Sequence, residues 1–136
     1  MADSNARVFV YIVDDDAAVR HALARLMRAA QHEALAYESA ERFLAEVRDR
    51  PSACILLDIT MPHMTGLQVQ ARLKELGIQL PVIALSARDD EETRGRARKL
   101  GASFFLRKPV DDQALLDAIT WVVGNKTPPA CAGTGK

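Results

Sequence analysis

"ILLDITMP", residues 55–62, is the stretch that decides the fold. Ile55, Leu56 and Leu57 read as a strand buried on both faces, because a strand with one wet face would alternate apolar and polar residues. The run ends on Asp58, a residue type that rarely goes inside unpaired. Pro62 has no N–H to give to a strand ladder and stops any extension. Asp58 therefore stands where a strand gives way to a loop, a common place for chemistry in α/β proteins.

Outward from this strand, short β-rich runs alternate with longer segments of helical period, five times over. Strands are expected over Val8–Val13, Glu33–Tyr37, Ala53–Leu57, Val82–Leu85 and Phe104–Leu106. The second is the most polar and belongs at an edge. Between them run helical stripes of Val19, Leu23, Leu26 and Met27, of Phe43, Leu44 and Val47, and of Val69, Leu73 and Leu76. The last stripe is Leu115, Leu116, Ile119 and Val122, each set facing one core. Gly77 and Gly101 follow a helical Leu and suit the left-handed position that ends a helix. The alternation specifies a parallel α/β sheet.

The fourth helix, about Asp90 to Leu100, has little apolar face beyond Ala97 and Leu100 and carries Gly95 in its interior. Its charges run from acidic (Asp89, Asp90, Glu91, Glu92) to basic (Arg94, Arg96, Arg98, Lys99), which complements the helix dipole. A solvated surface helix is the plain reading of such a segment; a mobile or partner-binding face is the other. After Val123 the chain turns to GNKTPPACAGTGK, without periodicity and rich in Gly, Pro and small residues, as tails and linkers are.

A chain of 136 residues has room for one domain with one well-formed core. Its 18 basic and 18 acidic side chains cancel, so the charge balance gives no sign of bulk nucleic-acid or membrane binding. Cys54 lies in an apolar strand and Cys131 in the small-residue tail, which makes no disulfide framework and suits a reducing, cytoplasmic compartment. MADSNARVF lacks the apolar region of a signal peptide, and no apolar run approaches the roughly 20 residues that span a bilayer. The chain is expected to be neither exported nor membrane-inserted.

Parallel strands joined by helices put all their C-terminal ends on one edge of the sheet, where open α/β sheets bind ligands. The first strand ends in Asp14-Asp15-Asp16, the third in Asp58, the fourth in Ser86-Ala87 and the fifth in Arg107-Lys108-Pro109. Asp14, Asp15 and Asp58 packed together would repel one another. A hard divalent cation removes that conflict, and Mg²⁺ favours one or two carboxylates plus phosphate oxygens. Asp58 could then attack phosphorus to give an aspartyl phosphate. Mg²⁺, Lys108 and the Ser86 hydroxyl would share the phosphoryl charge, and the small Ala87 would leave room for the incoming group. Plainer readings exist for each residue alone: Asp14 to Asp16 as helix caps, Ser86 as a turn residue, Lys108 on the surface, Asp58 in a structural ion pair. His63 reads as an exposed loop residue, since no second His or Cys lies at ligand spacing.

Together IVDDD, LLDITMPHMTG, ALSA and GASFFLRKP make the chain from Val8 to Val123 resemble the receiver domain of bacterial two-component response regulators. The resemblance implies a CheY/flavodoxin-like (βα)5 three-layer sandwich with strands in the order 2-1-3-4-5, flanked by an N-terminal tail (1–7) and a flexible tail or cut linker (124–136). It implies Asp58 as phosphoacceptor, with Mg²⁺ or Mn²⁺ held by Asp14, Asp15, Asp58 and the main-chain carbonyl of Thr60. It further implies Ser86, Ala87, Lys108 and Phe105 as the phosphate-binding and switch residues, and a cis peptide before Pro109. The phosphoryl donor would be a sensor histidine kinase, and the domain would catalyse only its own phosphorylation and dephosphorylation. The fourth helix, fifth strand and last helix would form the output face and a phosphorylation-dependent homodimer contact.

ESAERFL and DDQALLDAI are similar to phrases of FixJ-type receivers that precede a helix-turn-helix DNA-binding domain. Such a likeness implies control of transcription through a domain absent from this chain, or else a stand-alone receiver acting by protein contact. Phe105 stands where tyrosine is frequent and Val110 where phenylalanine is common. A haloacid-dehalogenase-like phosphohydrolase would place a second acid at position 60, where Thr60 stands. A flavodoxin-like cofactor binder would need a phosphate loop after the first strand, where three acids would repel the phosphate.

Overall fold

The computed structural model describes residues 8–60, 65–87 and 90–124. Pro62, His63, Asp89, Cys131 and, apart from Gly124, both expected flanking segments lie outside the described residues. The chain runs β1 (Phe9–Val13), α1 (Ala17–Ala29), β2 (Glu33–Tyr37), α2 (Ala40–Glu46), β3 (Ala53–Asp58) and α3 (Gly66–Leu76). It continues through β4 (Val82–Ser86), α4 (Glu91–Lys99), β5 (Ala102–Arg107) and α5 (Asp112–Gly124).

All strand pairings are parallel, in the order β2-β1-β3-β4-β5. β3 lies at the centre with every residue buried, which is why its sequence is continuously apolar. β2 is an edge strand, and only Tyr37 in it is fully buried. Alternating side chains sort into two cores on the two faces. Val10, Ile12, Cys54, Leu56, Ile83 and Leu85 meet Leu23 and Met27 of α1 and Leu115, Ile119 and Val122 of α5. Tyr11, Val13, Ile55 and Leu57 meet Phe43 of α2 and Val69 and Leu73 of α3. A third, small cluster of Ile59, Ala84 and Ala97 lies under α4, with Phe105 packed against it.

Helix starts follow local chemistry, since a side-chain oxygen at the N-cap satisfies an otherwise unpaired N–H. Asp16 caps α1, Ser39 caps α2, Thr65 caps α3 in a capping box with Gln68, and Asp90 caps α4. Gly77 closes α3 at φ 76°.

Several boundaries differ from the sequence expectation. β3 runs on through Asp58 and β4 through Ser86, because ladder bonds are made by the backbone and Asp58 still pairs with Leu85. β5 reaches from Ala102 to Arg107, with an irregularity that pairs Val82 with Ala102 but Ile83 with Phe104. The extra residue, Ser103, sets Phe104 toward the α5 face and Phe105 toward α4. Leu76, expected in the apolar stripe of α3, is 49% exposed. Val69, Leu73 and Leu76 share one face by helical period, and Val69 and Leu73 are buried on it while Leu76, the last residue of the helix, is not. No helix among the described residues is long and apolar enough to cross a membrane.

Candidate functional site

The C-terminal ends of β1, β3, β4 and β5 bring the expected residues to one edge. Asp14 is 1% exposed and Asp58 3% exposed, while Asp15 between α1 and β1 is open to solvent. Ligand-capable oxygens of Asp14, Asp15 and Asp58 all lie within 4.8 Å of one another. The donor set is all oxygen, which suits a hard divalent cation, and the trio could hold a metal ion.

Lys108 enters this cluster from the end of β5. Its Nζ donates to Asp14 Oδ2 at 2.9 Å and lies 3.5 Å from Asp58 Oδ2. Burial works to lower the Lys108 pKa, but the hydrogen bond to Asp14 and the Asp58 and Asp14 charges outweigh it and hold the ammonium above its ordinary value. Burial pushes the Asp14 carboxyl the other way, above the usual carboxylate range. The Asp16 N–H and Lys108 oppose that rise, and the Asp58 charge adds to it. One ammonium among three carboxylates leaves net negative charge, the electrostatic condition for binding a cation.

The acidic run divides its labour by position. Asp16 accepts N–H bonds from Ala18 and Val19 and is the helix cap. Asp14 turns inward, its Oδ1 accepting from the Asp16 N–H at 2.9 Å. Asp58 Oδ1 accepts from both the backbone N–H and the hydroxyl of Thr60, at 3.0 and 3.1 Å. Its other oxygen faces Lys108, so the two oxygens of the carboxylate have different surroundings.

Ser86 is fully buried at the end of β4, and its carbonyl accepts the Lys108 N–H at 2.8 Å. This main-chain bond ties the lysine to the serine strand directly. Ala87 is exposed beside it. The Lys108–Pro109 peptide is cis. Phe105 is half-buried one strand away, with the Arg94 guanidinium 5.7 Å over its ring.

Two contributors are absent from the sequence reading. Arg20 on α1 donates from Nη1 to the Asp14 carbonyl at 2.9 Å, while Nη2 lies 3.7 Å from Glu38. It thereby fixes the main chain that carries the inward carboxylate. Gly66, at the start of α3, has no room for a side chain: a Cβ there would lie 2.5 Å from the Asp58 carbonyl and 2.7 Å from Ile59 Cα. Its place in the MTG phrase hints at a turn, but the close approach depends on the chain folding back onto the end of β3, which the phrase does not show.

Comparisons with known proteins converge on one family. The family described as "Response regulator receiver domain" matches residues 10–120. The response regulator protein TodT of Pseudomonas putida is 43% identical over 110 residues, which cover 81% of this chain and 48% of TodT. The transcriptional regulatory protein FixJ of Rhizobium meliloti is 34% identical over 110 residues, covering 81% of this chain and 54% of FixJ. The chain thus spans about half the length of the curated relatives it matches. Among solved structures, the response regulator StyR superposes with a TM-score of 0.81 at 35% identity, covering 96% of this chain and 66% of StyR.

Proposed function

Since this chain belongs to the response regulator receiver domain family, we propose that Asp58 is its phosphoacceptor and residues 8–123 its receiver unit, with 1–7 and 124–136 as flanking segments. The observation that carries this reading is the company Asp58 keeps. A buried carboxylate at a strand end lies 3.5 Å from a lysine ammonium that also bonds Asp14, beside a second buried acid and an exposed third.

The chemistry follows from those neighbours. An Asp58 oxygen attacks the phosphorus of a phosphohistidine on a sensor kinase; the P–N bond breaks and the imidazole leaves with its electron pair. Asp14, Asp15 and Asp58, with the Thr60 carbonyl, would hold Mg²⁺ or Mn²⁺. A divalent ion bound there offsets the negative charge of the phosphoryl oxygens. Lys108 and the Ser86 hydroxyl take up the rest of that charge, and Ala87 leaves the approach open. The domain acts on its own aspartate alone, in phosphorylation and in the hydrolysis that reverses it.

The output follows as a population shift. Ser86 is drawn to the new phosphoryl oxygens and Phe105 turns inward, which alters the face of α4, β5 and α5. Trp121 on that face is 42% exposed and meets Phe104 edge-to-face with ring centroids 5.5 Å apart, a surface suited to a homodimer contact. Likeness to FixJ, a transcriptional regulatory protein, supports transcription control as the process served, which we place in the cytoplasm.

Intact mass after incubation with acetyl phosphate tests the reading, with and without Mg²⁺, on wild type and Asp58→Asn. The expected result is one added phosphoryl group that needs Mg²⁺ and disappears in the variant. An adduct that persists in Asp58→Asn, or none in the wild type under rapid sampling, overturns it.

A further inference from the structure

α4 is attached at few points, and its C-terminal turn is finished by another helix. The Leu100 N–H turns to the Arg96 carbonyl and the Gly101 N–H to the Arg98 carbonyl. The Ala97 carbonyl is thereby passed over, as terminal carbonyls of helices are. Its donor is Gln70 of α3, whose Nε2 reaches Ala97 O at 3.0 Å across 27 residues of sequence. Gln70 is 1% exposed, and its Oε1 is buried without a hydrogen-bond partner among the described residues.

A half-satisfied amide is a costly thing to bury, more so than a Met of similar size. What it supplies is the donor to Ala97. The orphan oxygen also weakens the hold, because leaving the site lets both ends of the amide reach water. A groove of about 180 Å³ beside Gln70, bordered by Leu73, Leu100 and Gly101, gives the end of α4 room to move.

Gln70 also lies on a line to Asp58. Gly66 and Gln70 are four residues apart on α3 and share a face. At Gly66 that face presses on the Asp58 carbonyl and the Ile59 backbone, and the Gly66 N–H donates to the Ile59 carbonyl at 3.0 Å. One turn later the same face holds α4.

We propose that Gln70 is a clasp: it caps the end of α4 from α3, keeps α4 in its resting place, and gives way when Asp58 is phosphorylated. Only the last clause rests on Asp58 being the phosphoacceptor. Gln70 is a positioning residue, acting through α3 and α4 without touching the reacting atoms.

Amide hydrogen exchange of the whole chain tests it, first without phosphorylation. Gln70→Met should speed exchange of amides 97–101 about tenfold, the effect of losing one buried hydrogen bond, while β1 and β3 amides keep their rates. Gln70→Leu also removes the donor and should do the same, which covers the case of a Met variant that fails to fold. Unchanged exchange at 97–101, or an equal rise throughout the sheet, overturns the clasp. With acetyl phosphate and Mg²⁺, wild-type amides 97–101 should speed up and Gln70→Met should gain little more; a full gain in both severs the link to Asp58. If mass shows no phosphoryl group on Asp58, the reading of the site fails, and the clasp is judged on the unphosphorylated comparison.

Discussion

The α1/α5 side of the sheet and the α4 corner are attached on different scales. α5 buries Leu115, Ile119 and Val122, and α1 buries Leu23 and Met27, against one continuous core. α4 rests on the same sheet with Ala97 as its one buried residue. At roughly 25 cal/mol per Å² of apolar surface, a methyl group holds a helix far less firmly than several branched side chains. The difference teaches where stability and movement are allotted. Asp14 follows Val10 and Ile12, which are packed in the α1/α5 core, so the inward carboxylate is anchored on the rigid side. Ser86 and Phe105 adjoin the loose corner, so a change at Asp58 meets little resistance there.

The largest test of this contrast is Ile119→Ala, which empties a fully buried position of the α5 core. It should cost about 2–5 kcal/mol in urea unfolding. A loss below about 1 kcal/mol, the range of ordinary surface changes, would mean that the α5 side is no tighter than the α4 corner.

Gly66→Ala comes next and strikes the junction between the two regions. Its Cβ would collide with the Asp58 carbonyl and Ile59 backbone, neither of which can swing aside as a side chain would. Overpacking of this kind costs about 1–3 kcal/mol. Because the displaced backbone is that of Asp58, phosphorylation by acetyl phosphate should also slow, by about tenfold or more, as misplacement of a reacting group does. Normal stability with a normal rate would show that α3 yields easily at its first turn.

Legibility in the sequence followed the same division. Strand ends could be read because apolar runs and alternation set the period, and Asp14, Asp58, Ser86 and Lys108 each stand at the close of such a run. Three adjacent aspartates look alike in composition, yet only Asp16 sits at the N-cap of α1 while Asp14 turns inward. Contacts between distant elements were not legible. Lys108 meets Asp14 across 94 residues, and Gln70 meets Ala97 across 27. In a helical pattern Gln70 and Arg20 read as surface residues, because a period reports which side faces the core and says nothing of which neighbour waits there. The weak apolar face of α4 was visible for the opposite reason: a missing stripe shows in the sequence itself.

The smallest effect sharpens the contrast most. Gly95 lies in the interior of α4, exposed, with nothing within 4 Å of where a Cβ would be. Gly95→Ala therefore adds no clash and should gain about 1 kcal/mol of helix propensity. What that gain does depends on how α4 leaves its place. If the helix unravels as it comes away, alanine opposes the opening, and amide exchange within α4 should slow about fivefold, the equilibrium factor for that energy. If α4 lifts off as an intact helix, propensity is the same in both states, and its undocking is unaffected. A slowed exchange with a reduced response to phosphorylation would identify local unfolding as the motion of this corner. An unchanged response to phosphorylation, whatever the basal exchange, would make α4 a rigid body held by its contacts, with Ala97 and the Gln70 bond setting its resting position.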